Sequence, residues 1–407
     1  MKFRDYQEEI IDQSMNILST GTFVYLAMEV RTGKTLTSLG ICQRLNPRRV
    51  LFLTKKKAIS SVQKDYEALS PDYLIEVINY ESAHKREFDW FDIIILDEAH
   101  GLGAFPKPSG RAKLVKDLVS KASKVILLSG TPTPESYSQV YHQVFGIKGN
   151  PFRLYKNFYQ FAKDYVKVSS KIINGFSVND YSDGKNEIIN KMKPYMINYT
   201  QKEAGFVVNT TEIVLSCKMS EETHMIVKNL KKDFVLDFGK GNVVLGDTSV
   251  KLMTKIHQIA SGSVKTEDGA YLITDFSKAN FIFDFFKGTK IGIFYKFKSE
   301  LDLLKSVYKD GLTTELDEFN STDKSIALQI VSGREGISLR NAEALVYFNI
   351  DFSATSYWQS RDRMTTIDRL NSHVYWVFSD VGIEKRIYDA VSKKKDYTLS
   401  HFKKDFL

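Results

Sequence analysis

The sequence has 407 residues, enough at roughly 100–200 residues per domain for two or three domains with sizeable cores. Its hydrophobic share of 43% and charged share of 26% exclude a disordered or fibrous chain and allow a packed enzyme. Lys and Arg number 57 against 49 Asp and Glu, and the net charge of +8 leans toward polyanionic partners. Cys42 and Cys217 stand alone, which excludes a disulfide framework and a CxxC metal site. No apolar run approaches the ~18 residues of a membrane span, and the N-terminus is charged where a signal peptide is apolar. The expected location is the cytoplasm.

The first predicted element with chemical content is the apolar run Phe23–Met28, a strand buried on both faces. It leads into Glu29-Val30-Arg31-Thr32-Gly33-Lys34-Thr35 and a helical stretch, the strand–loop–helix setting of a phosphate loop. Backbone N–H groups at the helix start would cradle phosphates, Lys34 would reach the outer ones, and Thr35 would hold Mg²⁺. The first glycine of the usual pattern is replaced by Met28. A second strand, Val50–Leu53, precedes Thr54-Lys55-Lys56-Lys57.

A third run, Phe91–Leu96, delivers Asp97-Glu98-Ala99-His100 to the sheet edge where α/β folds bind ligands. There Asp97 would hold Mg²⁺ through water and Glu98 would polarise an attacking water. A fourth run, Val125–Leu128, brings Ser129-Gly130-Thr131-Pro132-Thr133-Pro134 to the same edge. Its short hydroxyls would link the nucleotide site to a domain interface. This β-α alternation predicts a doubly wound α/β domain.

From Asn150 to Tyr199 the pattern changes. Phe152, Tyr155, Phe158, Tyr159, Ala162 and Tyr165 recur at helical spacing, predicting a helical insertion whose aromatic stripe is a core face rather than a platform for bases. Further on, Val250–Ile259 predicts a helix and Val264–Ile273 a hairpin. Ile291–Tyr295, Ile326–Val331 and Leu345–Asn349 predict the strands of a second α/β domain.

Phosphate loop, Asp97-Glu98-Ala99-His100 and Ser129-Gly130-Thr131-Pro132, in this order, resemble the first motor domain of superfamily 2 helicases and translocases. Arg4-Asp5-Tyr6-Gln7 resembles the family's adenine-reading element. Leu53 to Lys57 resembles its first DNA-contact motif, with Lys55 where proline is usual, and Asn79-Tyr80-Glu81-Ser82 matches its Snf-like (switch/sucrose-nonfermenting) branch. In the C-terminal third, Ile291–Phe297 resembles the opening strand of a second motor domain. Ser332-Gly333-Arg334-Glu335-Gly336 resembles a glycine-rich motif facing ATP and nucleic acid, and Gln359-Ser360-Arg361-Asp362-Arg363 resembles an arginine-finger motif.

The resemblance implies two tandem RecA-like doubly wound parallel-sheet domains with a helical insertion between them. The expected boundaries are 1–149 for the first motor domain, 150–210 for the insertion, 211–270 for a helical and hairpin connection, and 271–407 for the second motor domain. It implies that Arg4 and Gln7 read the base, that Arg31, Thr32, Gly33, Lys34 and Thr35 hold the phosphates, and that Gly336 and Arg363 reach ATP. Nucleic acid is assigned to Lys55, Lys56, Lys57, Ser332, Gly333 and Arg334, and coupling to Ser129, Thr131 and Gln359.

One departure stands out: Thr366 occupies the position of the family's second arginine. On a helix Gln359, Arg363 and Thr366 share a face and Arg361 points the opposite way. Arg363 is the expected finger, and Arg369, about 80° off that face at ~100° per residue, is a candidate second cation. The implied function is an ATP- and Mg²⁺-dependent motor on double-stranded or branched DNA rather than RNA, monomeric, similar to compact phage-encoded helicases of replication or recombination, with a nuclease or replication protein as partner. The alternatives are an ATP-binding DNA clamp and the motor subunit of a restriction-type complex.

Overall fold

The computed structural model describes residues 2–86, 88, 90–173, 176–205, 209–239, 241–333, 338–361 and 371–393. The chain divides into two compact units, Met1–Phe206 and Val207–Leu407. Among the described residues no helix is long and apolar enough to cross a membrane.

The first unit contains β1 (Phe23–Met28), β2 (Arg49–Thr54), β3 (Leu74–Asn79), β4 (Ile93–Leu96), β5 (Lys124–Leu128), a hairpin of β6 (Ser169–Ile173) and β7 (Phe176–Asp180), and β8 (Met196–Tyr199). Six of these form one parallel sheet in the order β3-β2-β4-β5-β1-β8. β1 and β4 are buried at every residue, as strands covered on both faces must be. The run expected from Phe91 starts its strand only at Ile93, because the Asp92 carboxylate accepts from the Arg48 and Arg49 backbone N–H groups at 2.7 and 3.1 Å. Both edge strands escape the apolar signal. β3 begins at Leu74, which is 70% exposed, and carries Glu76; β8 is short and contains Asn198.

The segment expected to be a helical insertion is mixed. It holds a helix, Phe158–Tyr165, the β6–β7 hairpin, a second helix, Glu187–Met192, and β8, which joins the first sheet. The hairpin's two strands pair antiparallel from Ser169 with Asp180 to Ile173 with Phe176. Of the predicted stripe Phe152, Phe158 and Ala162 are buried, Tyr155 and Tyr165 are half-buried and Tyr159 is exposed; Phe161, outside the predicted set, is also buried, and Phe158 and Phe161 pack on Tyr141, so the stripe is mainly a core face.

The second unit contains β9 (Asn209–Cys217), the hairpins β10 (Val235–Asp237) with β11 (Val243–Leu245) and β12 (Ser263–Lys265) with β13 (Tyr271–Ile273), then β14 (Ile291–Tyr295), β15 (Leu312–Thr313), β16 (Ser325–Gln329), β17 (Ala344–Tyr347) and β18 (Asn371–Ser379). Six form a second parallel sheet, β15-β16-β14-β17-β18-β9. The helix Ser249–Ile259 and the β12–β13 hairpin lie where the sequence predicts them. The strand predicted to Val331 stops at Gln329, since Ile330–Gly333 turns helical. β9 pairs along its whole length with β18, so the stretch expected as a connection, 211–270, belongs with the second unit. The architecture is α/β with two parallel six-stranded sheets.

Candidate active site

β1 ends at Met28, and the chain passes through Glu29 to Gly33 into the helix Lys34–Leu45. Gly33 is left-handed at φ 80°, and a Cβ there would lie 2.4 Å from Gln7 Nε2, so a side chain would strain the backbone and displace the Gln7 amide. Arg31 is also left-handed at φ 65°. The buried Thr32 donates its hydroxyl to the Glu29 carbonyl at 2.7 Å, and the Lys34 ammonium donates to the carbonyls of Met28 and Glu29 at 3.0 and 3.3 Å. Met28, standing where the pattern has glycine, is buried in the sheet and reaches the loop through its carbonyl.

The N-terminal element packs on this loop as the resemblance implies. Gln7 Nε2 donates to Gly33 O at 3.3 Å and Thr37 Oγ1 at 3.4 Å, while its Oε1 accepts from the Arg4 N–H at 3.0 Å. Tyr6, quoted in that element without a role of its own, and two residues to which the sequence reading gives no role, Tyr199 and Gln201, join it. The Tyr6 hydroxyl donates to Thr32 O at 3.0 Å, Tyr199 stacks on Tyr6 with ring centroids 4.9 Å apart, and Gln201 donates to Val30 O at 3.0 Å. Nothing in the sequence marks Tyr199 or Gln201, because β8 brings them to the loop from more than 160 residues away.

One strand removed from β1, beyond β5, the end of β4 carries the two carboxylates. Asp97 Oδ2 accepts from Thr54 Oγ1 at 2.6 Å, and the Asp97 carbonyl accepts from the Tyr80 hydroxyl at 2.7 Å. Burial pushes the Asp97 carboxyl up to about 6, the adjacent Glu98 charge adds to this, and the Thr54 hydrogen bond and Lys34 charge pull against it. Glu98 is left-handed at φ 49°, a strained backbone for a residue with a side chain. Burial opposes its charge, yet His100 beside it and the charges of Lys34 and Lys55 outweigh that and hold its carboxyl down at about 2. His100 Nδ1 lies 3.2 Å from Glu98 Oε2 and 3.0 Å from Ser129 Oγ. This approach leaves Glu98 Oε2 buried and without a hydrogen bond among the described residues.

Ser129 Oγ also accepts from the Thr131 N–H at 3.1 Å, and the Thr131 hydroxyl is a second buried group without a hydrogen bond among the described residues. Lys55 caps a short turn, Lys56–Ala58, at the end of β2, with Lys56 and Lys57 exposed. The sheet edge therefore gathers Lys34, Asp97, Glu98, Lys55 and Ser129. In the second unit Ser332 and Gly333 lie on the short helix Ile330–Gly333, and Gln359 lies on the helix Ala354–Arg361. Arg334, Gly336, Arg363, Thr366 and Arg369 lie outside the described residues. Arg361 turns into its own unit and pairs with Glu212 at 3.0 Å.

The donors present suit a magnesium nucleotide. Thr35 and Asp97 offer hard oxygens, and among the described residues no group of three or more His, Cys, Asp or Glu forms a closed metal cage.

The family model of the SNF2-related domain matches residues 26–274. The chain belongs to the SNF2-related family of ATPase cores. The matched residues include the phosphate loop, both carboxylates and Ser129, and end after the β12–β13 hairpin, before Ser332 and Gln359. Among solved structures this SNF2-related core is similar to the Sulfolobus solfataricus SWI2/SNF2 ATPase core in complex with dsDNA, at 15% identity and a TM-score of 0.43, covering 99% of this chain and 92% of that one. It is similar also to the Sulfolobus solfataricus SWI2/SNF2 ATPase core domain, at 16% identity and a TM-score of 0.44, covering 97% and 89%. Among curated proteins no sequence matches significantly.

Proposed function

We propose that this SNF2-related core hydrolyses ATP when engaged on DNA and uses the cycle to translocate along double-stranded or branched duplexes. The observation that carries this is the placing of Lys34 beside two carboxylates at one sheet edge, one of them Glu98, whose buried Oε2 has His100 Nδ1 at 3.2 Å and no hydrogen bond among the described residues. Such an oxygen is an acceptor awaiting a proton-bearing ligand, and an attacking water supplies one.

Lys34 exchanges its two backbone carbonyls for the outer phosphates of ATP, gaining charge-assisted hydrogen bonds. Backbone N–H groups at the start of the helix Lys34–Leu45 cradle the phosphates, and Arg4 and Gln7 read the base. Thr35, and Asp97 through water, would hold Mg²⁺, which when bound would neutralise phosphate charge. Glu98 orients the attacking water, and Ser129 with His100 senses whether its carboxylate is engaged. Arg363 supplies the arginine finger, with Arg369 as a second cation. Lys55, Lys56, Lys57 and the Ser332-Gly333-Arg334 segment hold nucleic-acid phosphates, which is sequence-independent binding suited to a motor. Replication or recombination of DNA is the task this reading assigns to it.

Steady-state ATP turnover measured with single-stranded, duplex and forked DNA and with RNA tests this reading. Stimulation by duplex or forked DNA is expected. Lys34→Ala and Glu98→Gln both abolish turnover, but only Glu98→Gln still binds ATP, because it leaves the pocket nearly isosteric. DNA binding without any ATP turnover in the unaltered protein would instead favour the clamp.

A further inference from the structure

Four backbone carbonyls of the loop between β1 and the helix Lys34–Leu45 are committed to donors. Glu29 O accepts from the Thr32 hydroxyl at 2.7 Å and the Lys34 ammonium at 3.3 Å, and Val30 O from the Gln201 amide at 3.0 Å. Thr32 O accepts from the Tyr6 hydroxyl at 3.0 Å, and Gly33 O from Gln7 Nε2 at 3.3 Å and the Thr37 N–H at 3.0 Å. A loop that binds an anion presents N–H groups to it, and a carbonyl oxygen turned the same way would repel the phosphate. Donors that engage the carbonyls therefore help to set what the ligand meets.

The segment after β8 holds this loop at several points. The Gln201 backbone N–H donates to Glu29 Oε2 at 2.8 Å, beside the amide's bond to Val30 O. Tyr199 O accepts from the Glu29 N–H at 2.9 Å, which carries the β1–β8 pairing one step past Met28, and the Tyr199 ring stacks on Tyr6. The turn that carries Gln201 is itself braced. Glu203 Oε2 accepts from the Thr200 N–H and hydroxyl, each at 2.7 Å, and the Tyr199 hydroxyl and Ala204 N–H donate to the carbonyls of Glu203 and Thr200 at 3.0 and 3.1 Å. Gln201 thus reaches the loop from a fixed backbone, and its amide gives up less conformational freedom on bonding than one on a loose chain.

We propose that Gln201 is a positioning residue for the phosphate loop: its amide keeps the Val30 carbonyl engaged and its N–H fastens Glu29, so that a phosphate meets N–H groups rather than a carbonyl. The inference rests on the reading of this loop as the ATP site. With Met28 in place of the first glycine and Arg31 left-handed at φ 65°, the loop takes a shape that its own residues favour poorly, and donors from the rest of the unit hold it there.

The test is performed on the full chain carrying Gln201→Met, Gln201→Glu or Lys34→Ala. Equilibrium binding of a fluorescent ATP analogue at low and high salt, steady-state kcat and KM for ATP, and melting temperature are measured on each. Gln201→Met keeps the length of the side chain and removes its donor. It is expected to weaken nucleotide binding and raise KM about 3- to 10-fold with kcat within about two-fold, since the loop holds the phosphates alike in the ground state and the transition state. Gln201→Glu keeps the shape of the amide without the donor and is expected to weaken binding at least as much, with a loss that persists at high salt, where a repulsion between charges alone is screened. Should Gln201→Met fail to fold, Gln201→Glu carries the test. Nucleotide affinity and KM equal to those of the unaltered protein, a fall in kcat alone, or a Gln201→Glu loss that disappears at high salt overturns the positioning role while Lys34→Ala still abolishes turnover. Full turnover in Lys34→Ala removes the phosphate-loop reading itself, whatever Gln201→Met does.

Discussion

The Tyr80 hydroxyl donates a 2.7 Å hydrogen bond to the backbone carbonyl of Asp97, tying the end of β3 to the carboxylate that ends β4. Tyr80 is buried, and its hydroxyl is pushed well above the usual range by burial and by the Asp97 charge, so it donates at any working pH. Arg111 lies over the Tyr80 ring at 5.0 Å and pairs with Glu81, closing the arrangement from outside. The Asn79-Tyr80-Glu81-Ser82 motif thus serves the site as a brace: Asn79 caps the short helix Tyr80–Ala83 through the Ser82 N–H and so aims Tyr80 inward.

Tyr80→Phe removes that one hydrogen bond and leaves the ring. A net loss of about 1 kcal/mol is expected, read as a roughly five-fold fall in kcat if it acts on the placement of Asp97. Steady-state turnover beside urea unfolding separates the two effects. Unchanged turnover with lowered stability would leave Tyr80 a core residue only.

Lys55, Lys56 and Lys57 sit at the end of β2, the last two exposed. Replacing all three by Ala is expected to weaken nucleic-acid binding without sequence preference. Each lost phosphate contact flattens the log–log salt dependence by about 0.7–0.9. Binding titrations of a labelled duplex across a salt series measure the slope. A slope equal to that of the unaltered protein would make the triplet solvated surface.

The parts of the site that were legible in the sequence are those whose position is set by strand ends. β1, β4 and β5 are buried on both faces, so their apolar runs stop where the sheet edge begins, and Glu29, Asp97 and Ser129 announce the loops there. The partners that tune these residues were illegible. Thr54, Tyr80 and His100 stand inside motifs the sequence marks, but spacing alone does not show that they bond or flank the carboxylates, and Gln201 reaches the phosphate loop just beyond a four-residue edge strand. β9 and β18 hide for a related reason: Glu212, Ser372 and His373 break their apolar runs. Glu212 looks in the sequence like any surface acid, and only β9–β18 pairing brings it to Trp376, Tyr357 and Arg361.

Lys278 and Glu384 form a fully buried pair at 3.0 Å, with the Ser379 N–H and hydroxyl also donating to Glu384 at 3.3 and 3.1 Å. Lys278→Met leaves the carboxylate buried without its cation and is expected to destabilise the second unit by about 3–5 kcal/mol. Adding Glu384→Gln removes the stranded charge while keeping an acceptor for Ser379, and should recover a large part of that loss. Urea unfolding of the single and double variants measures it. Additive losses would show that the pair is not a coupled unit.

Asp275 gives the pH dependence a defined sign. Its Oδ2 accepts from the Ser220 N–H at 2.9 Å, the Ser220 hydroxyl at 2.8 Å and the Thr223 hydroxyl at 2.7 Å, and its Oδ1 accepts from the Ser277 N–H at 2.7 Å. The carboxylate thereby fastens the start of the helix Glu221–Asp233 to that of the helix Ser277–Phe285. Burial works against its charge, but the donors from Ser277, Thr223 and Ser220 prevail and hold the carboxyl down at about 2. An unfolded chain takes up this proton near pH 4, earlier than the folded one, so between about pH 4 and pH 2 the unfolded state binds more protons and stability falls as the pH is lowered. The contribution is complete above pH 5 and is lost as the pH drops through the folded value. Asp275→Asn is expected to cost about 1–3 kcal/mol at pH 7, where charged hydrogen bonds are removed, and to make the acid decline of stability shallower by up to one proton. Denaturant unfolding from pH 7 down to the lowest pH at which the protein stays folded measures both. Parallel stability curves for the variant and the unaltered protein through the acid range would show that Asp275 titrates alike in both states and holds neither helix by its charge.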